Sequence, residues 1–153
     1  MLAYRSRSEK EVVSDLERKG FQHKLVGEVI EQLHGEGYLD DDRFAMQLIE
    51  SCQEANKGWT RIYTELRKRG IKRDRAEESL NAHYDERKAE ETLEYLVRES
   101  MGNLPAPPGK VDFASIIRKI SRMGFPPSSI MNAMHLACRE MEHCEQSDFL
   151  DSG

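Results

Sequence analysis

The sequence predicts an all-α fold made of three tandem three-helix repeats. Three observations carry that prediction. Apolar residues recur at three- and four-residue intervals, and no segment sustains a two-residue alternation. One short pattern appears three times, as Leu16-Glu17-Arg18-Lys19-Gly20-Phe21, Leu66-Arg67-Lys68-Arg69-Gly70-Ile71 and Ile120-Ser121-Arg122-Met123-Gly124-Phe125. Around each copy, helix-starting residues stand at one fixed distance before the glycine.

Registered on the glycines, Ser8, Gly58 and Asp112 lie twelve residues upstream, and all three are accepted N-cap types. Each repeat therefore opens with a helix of about eleven residues that glycine stops at C′. Ser8 with Glu11 also forms the capping-box pattern. Val12, Ile62 and Ile116 lie eight residues before the glycines, and Ile30, Leu80 and Met134 ten after. The glycines are about fifty residues apart, which fits three helices per repeat better than two.

The second helix of the first repeat is marked by Leu25, Val26, Val29, Ile30 and Leu33 and ends at Gly35 or Gly37. Its third follows the acidic cap Asp40-Asp41-Asp42 and turns Phe44, Ala45, Leu48, Ile49 and Cys52 inward. In the second repeat Ala76 and Leu80 mark one helix, and Ala89, Leu93, Leu96 and Val97 the next. Pro105, Pro107 and Pro108 make 102–111 a linker. In the third repeat Pro127 fits a helix's first turn, followed by Ile130, Met134, Ala137 and Met141. The expected division is 1–56 and 57–101 for the first two repeats, then the linker, then 112–153 as a third repeat with an acidic tail. Phe21, Phe44 and Phe125 are expected in the core.

Composition bounds the function. The 153 residues carry 33% charged and 38% hydrophobic residues, with a net charge of −5. A uniformly basic nucleic-acid coat is therefore excluded, and any such partner must meet a local patch. That patch is visible. Lys57 to Arg75 holds eight bases and two acids, while Glu28 to Glu54 holds eight acids and one base. The segment from Arg139 onward carries five acids against one base. No stretch is apolar enough to span a bilayer, and the first residues show no apolar signal core. Three cysteines without paired spacing fit a reducing cytoplasm.

The run Tyr4-Arg5-Ser6-Arg7-Ser8-Glu9 with Leu16-x-x-Lys19-Gly20-Phe21 resembles the opening of the RecX family, bacterial regulators of the RecA recombinase. So does Gly37-Tyr38-Leu39-Asp40-Asp41-Asp42-Arg43-Phe44-Ala45. Lys57-Gly58 with Ile62-x-x-Glu65-Leu66-x-x-Arg69-Gly70-Ile71 continues the likeness in register. It is strong from about Leu2 to Leu80 and weaker through the third repeat. The resemblance implies an elongated, curved array of three three-helix units lying in the helical groove of a RecA–single-stranded-DNA filament. It implies a monomeric binding protein that suppresses recombinase activity and promotes filament disassembly, without catalysis or a cofactor. Family chains often carry more sequence before the first arginine, and many are basic. The acidic balance here leaves room only for weak direct DNA binding. A DNA-binding regulator with helix-turn-helix-like pairs is the alternative.

The candidate contact residues follow from the basic run. Arg67, Lys68 and Arg69 with Lys72, Arg73 and Arg75 straddle the glycine turn of the second repeat. Cations near a helix C-terminus also complement its dipole, which is the purely structural reading. Six cations within nine residues exceed what a cap needs, and with the resemblance the functional reading is preferred. Arg5, Arg7, Arg18 and Lys19 are the counterparts in the first repeat, and Arg118, Lys119 and Arg122 in the third. Superposed repeats would align them as a basic stripe. Trp59, beside Lys57 and Arg61, is placed either to stack a nucleic-acid base or, as is commoner, to pack between helices.

His135, Cys138, His143 and Cys144 lack two spaced ligand pairs, so core thiols are the default and no metal is expected. The three aspartates lack the staggered ligands of a calcium loop. No phosphate loop, nucleophile elbow or catalytic acid pair is present, so an enzyme is not expected.

Overall fold

The repeated Leu/Ile-x-x-x-Gly-Phe/Ile pattern is a helix stop. Gly20, Gly70 and Gly124 adopt φ of 90°, 92° and 102°. At the first, the Gly20 N–H donates to the Glu17 carbonyl and the Phe21 N–H to the Leu16 carbonyl. Gly70 and Ile71 donate to Arg67 and Leu66 in the same way. This is a Schellman motif. It needs a residue tolerant of left-handed backbone at C′ and pairs apolar side chains at C3 and C″. The sequence pattern is that requirement written out.

The computed structural model describes residues 7–103 and 109–150. They form α1 (Glu9–Arg18), α2 (His23–Gly35), α3 (Asp41–Glu54), α4 (Trp59–Lys68), α5 (Arg73–His83), α6 (Glu86–Gly102), α7 (Lys110–Arg122) and α8 (Pro127–Leu150). No strand occurs among the described residues. Ser8 caps α1 through a complete capping box with Glu11, as expected. Asp40 caps α3, its Oδ1 accepting from the Asp42 and Arg43 N–H groups.

The start of α7 departs from expectation. Its N-cap is Gly109, not Asp112, and the Asp112 carboxylate accepts the Gly109 N–H at 2.8 Å. Asp112 serves as the N3 partner of a cap one turn earlier, so the acidic residue marks the helix's first turn rather than its boundary. Gly102 closes α6 and Lys110 opens α7; the proline-rich 104–108 part of the expected linker lies outside the described residues.

The chain divides into two units, Met1–Glu54 with Ile62–Tyr84 and Ala55–Arg61 with Asp85–Gly153. In the first, α1 packs on α2 and α3 on α5. Val26, Ile30 and Leu39 form one buried cluster, with Val12, Val13, Leu16 and Leu33 partly buried against it. Ile49, Ile62, Leu66 and Leu80 are fully buried elsewhere in this unit. In the second, α6, α7 and α8 pack pairwise around Leu93, Leu96, Val97, Ile116, Ile120, Phe125 and Ile130. Each such side chain contributes about 1.5–3 kcal/mol when fully withdrawn from water. Thus α6, the last helix of the second repeat as counted from the sequence, packs with α7 and α8 of the third.

The expected core residue Phe21 is not buried, and neither is Leu25 of the α2 stripe. Phe21 and Leu25 are 48% and 46% exposed, whereas Ile71 and Phe125, the counterparts of Phe21, are 2% and 5%. In the third repeat α6 lies across the face that holds Phe125, while among the described residues no helix covers α1 and α2 in that way. Met141 also continues the apolar stripe of α8 but stands 57% exposed.

Candidate functional site

The basic segment forms the end of α4 and the start of α5. Arg67 and Lys68 occupy the last turn of α4, where a cation meets the negative end of the helix dipole. Arg67 Nη1 donates to the Ile71 carbonyl at 3.0 Å. Dipole complementarity accounts for these two. It does not account for Lys72, Arg73 and Arg75, which sit at the N-cap and first turn of α5 with Asp74 as the single acid. Cations are unfavourable there, because the helix N-terminus is itself positive. Arg73 is offset by Glu77 at 3.1 Å and Arg75 by Asp42 at 2.6 Å, whereas Lys72 makes no ion pair among the described residues. Five of the six cations between Arg67 and Arg75 are exposed.

Arg69 is the exception. Its Nη1 donates to Glu11 Oε1 at 2.5 Å, and its carbonyl accepts the Ser8 hydroxyl at 2.6 Å. Ser8 is 1% exposed. The start of α1 is thereby fastened to the glycine turn that follows α4, and the Lys10 stem lies across Gly70, its Cβ 2.5 Å from where a Gly70 side chain would begin. A corresponding joint occurs in the second unit. The Gly58 N–H donates to the Met123 carbonyl at 2.7 Å, and the Thr60 N–H to the Gly124 carbonyl at 3.3 Å. A Cβ on Gly58 would stand 2.5 Å from the Gly124 carbonyl group. In both joints the small residue capping one repeat's first helix donates to the carbonyl just before the glycine of the next repeat. At Gly58 a small residue is required because backbone meets backbone, whereas at Ser8 the side-chain hydroxyl itself makes the bond.

Arg69 is therefore chiefly a structural residue. Arg7 also pairs, with Asp15 at 2.6 Å, and Arg18 bridges to the same carboxylate. Arg7, Lys10, Lys68 and Arg69 line a cleft of about 350 Å³ with Glu11, Ser14 and Asp15, leaving it a surplus of cations. Lys10 was not distinguished by sequence; only its closeness to the Ser8 cap hinted at a role. Lys19 is exposed, and Arg5 lies outside the described residues.

In the second unit Lys57 and Trp59 are half-buried at the start of α4, and Arg61 is exposed with its Cβ against Gly124. Arg118, Lys119 and Arg122 are exposed on α7, the last two in its final turn. Trp59 makes interactions within the chain.

The acidic residues in the first turn of α3 also reach beyond it. Asp41 Oδ1 accepts the Glu9 N–H at 3.1 Å, and Asp42 takes Arg75. Glu9 Oε2 lies 2.9 Å from His34 Nε2. This bond, aided by the charges of Glu9 and Asp41, raises the His34 pKa above its ordinary value. Cys52 is buried and Cys138 half-buried. Among the described residues no group of three His, Cys, Asp or Glu side chains is placed to hold a metal ion. Among the described residues no helix is long and apolar enough to cross a membrane.

Comparison with known proteins places this arrangement. Residues 1–33 match the family model "RecX, first three-helix domain", and residues 40–80 match "RecX, second three-helix domain". The regulatory protein RecX of Bacillus velezensis is 34% identical over 96 residues, covering 62% of this chain and 36% of the relative. That of Halorhodospira halophila is 39% identical over 71 residues, covering 46% and 44%. The matched part thus spans between a third and a half of these curated relatives. The crystal structure of RecX from Lactobacillus salivarius superposes with a TM-score of 0.77 at 22% identity, covering 88% of this chain and 90% of that one. A second crystal structure of a regulatory protein RecX gives 0.71 at 20% identity, covering 85% and 66%.

Proposed function

The chain belongs to the RecX family, and from that premise we propose that it binds the RecA–single-stranded-DNA filament in its helical groove, inhibits the recombinase and promotes filament disassembly. It acts there as a regulatory binding protein in recombination, DNA repair and the SOS response. The observation that carries this reading is the cation-rich start of α5. Lys72, Arg73 and Arg75 oppose the helix dipole; Glu77 and Asp42 offset the two arginines, while Lys72 stands exposed with no ion pair among the described residues, a local cost that folding alone does not call for. A polyanionic partner supplies the compensation, through phosphates or acidic side chains. A net charge of −5 argues that the protein prefers a coated filament to bare DNA, where the remaining acidic surface would be repelled. The exposed cations of α1 and, separately, those of α7 are further candidate contacts.

Anisotropy titrations against bare single strands, duplex and recombinase-coated strands, at matched salt, test the proposal. Much tighter binding to coated strands is expected; equal affinity for bare DNA would favour the helix-turn-helix-like alternative. The variant to compare carries Arg67→Glu, Lys68→Glu and Lys72→Glu. It leaves Arg69, which holds the α1 joint, untouched. It should fold as wild type does and lose inhibition of recombinase ATPase. Full inhibition by the folded variant would refute the assignment.

A further inference from the structure

We propose that Lys10, Lys68 and Lys72 form one anion site, built around the glycine turn after α4, that holds the phosphodiester backbone of a single-stranded nucleic acid. The site deepens the reading above and rests on it for the kind of partner involved. Its residues and its ligand chemistry come from the way charges are paired in the first unit.

The arginines of this region are already occupied. Arg69 donates to Glu11 at 2.5 Å, Arg73 to Glu77 at 3.1 Å and Arg75 to Asp42 at 2.6 Å. Arg67 donates to the Ile71 carbonyl, and Arg7 pairs with Asp15. The lysines are not occupied. Lys10 and Lys72 make no ion pair among the described residues, and Lys68 only approaches Glu65, at 3.9 Å. All three are exposed.

Lys10 belongs to α1, about sixty residues from the other two, and the fold brings it to them. Its stem crosses Gly70, where a Cβ would stand 2.5 Å from the Lys10 Cβ, an atom that no rotamer change moves. Gly70 thus makes room for the lysine stem besides supplying the φ of 92° that the turn needs. On one side Lys10 shares the cleft of about 350 Å³ with Lys68, and on the other a cleft of about 610 Å³ with Lys72. The carboxylates lining these clefts have partners of their own. Glu11 and Asp15 hold arginines, Glu9 holds His34, and Asp40 and Asp41 accept backbone N–H groups. Three ammonium groups around one turn repel one another, and the neighbouring carboxylates are engaged elsewhere.

The residue type left free names the ligand. Arginine's planar fork matches carboxylates and base edges with paired bonds, and here those forks are closed by the chain itself. Lysine is a hydrated point charge that suits a phosphate. Contacts of that kind position a strand without reading its sequence.

The test titrates the full chain with oligothymidylate by fluorescence anisotropy, from low salt upward. On single strands each phosphate contact contributes about 0.7 to the slope of log K against log salt, so replacing all three lysines by glutamine should reduce that slope by about 2, and Lys10→Gln alone by about 0.7. Glutamine keeps the stem out to Cδ and so the packing on Gly70, and circular dichroism melts should match wild type. Lys24→Gln, at an exposed lysine of α2, should leave the slope unchanged. In wild type carrying ¹³C-methylated lysines, oligothymidylate and a mixed-sequence strand should both shift the Lys10, Lys68 and Lys72 signals. An unchanged slope in the folded triple variant would overturn the proposal, as would no binding of oligothymidylate by wild type at low salt. So would polyglutamate shifting the same signals equally at matched charge, since the ligand would then be an acidic protein. Binding to recombinase-coated strands is measured separately; if it is no tighter while the slopes change as expected, the filament reading fails and the lysine site stands.

Discussion

Gly58→Ala should unfold the second unit's joint although it adds a single methyl group. The new carbon would stand 2.5 Å from the carbonyl carbon and oxygen of Gly124 and 2.8 Å from the Phe125 nitrogen. These are backbone atoms on a turn already fixed at a φ of 102°, so no rotamer change relieves the clash. The segments must separate, which breaks the 2.7 Å bond from the Gly58 N–H to Met123. Overpacking of this kind costs about 1–3 kcal/mol, and the lost hydrogen bond about 0.5–1.5. Reduced freedom of the unfolded chain returns about 0.4–1 kcal/mol. At the middle of these ranges the net loss is about 2 kcal/mol, or a Tm lower by roughly 4–8 °C for a chain of this length. Gly27→Ala is the matched control. Gly27 lies inside α2 with open space where its Cβ would go, so alanine should stabilise by about 0.5–1 kcal/mol. Far-UV circular dichroism melts of the two variants against wild type measure both signs. If Gly58→Ala melts within about 2 °C of wild type, or Gly27→Ala falls as far as Gly58→Ala, the close-approach argument is refuted.

Ser8→Ala removes a hydroxyl that accepts from Glu11 and donates to Arg69, and should cost about 1–3 kcal/mol in urea unfolding. Phe125→Ala should cost about 3–5 kcal/mol, because the ring is buried under α6, whereas Phe21→Ala should cost under about 1. Equal losses at these two corresponding positions would mean that Phe21 is covered after all. His34 has a raised pKa in the folded state through Glu9. Its stabilisation is therefore fully present below the unfolded value of 6.5 and is lost as pH rises through the folded value. Wild-type urea midpoints should fall across that window relative to His34→Gln, and parallel profiles would show that the bond contributes nothing.

The sequence by itself determined the helices and their stops. Leu16-Gly20-Phe21 and Leu66-Gly70-Ile71 are legible because a Schellman motif is local: one left-handed residue and two apolar neighbours within a single turn decide it. The same holds for the Ser8 capping box and for the periodic stripes that became the cores. The cations, too, could be counted from the sequence. Their roles could not. Arg67 and Arg69 look alike along the chain, yet Arg69 is tied to Glu11 and its carbonyl to Ser8, contacts between residues about sixty positions apart. Likewise Phe21 and Phe125 have the same local setting, and only tertiary structure leaves one bare and buries the other under α6. Local patterns report what a residue can bury or pair with. Which partner arrives depends on chain closure over long separations, and no periodicity in the intervening sequence encodes it.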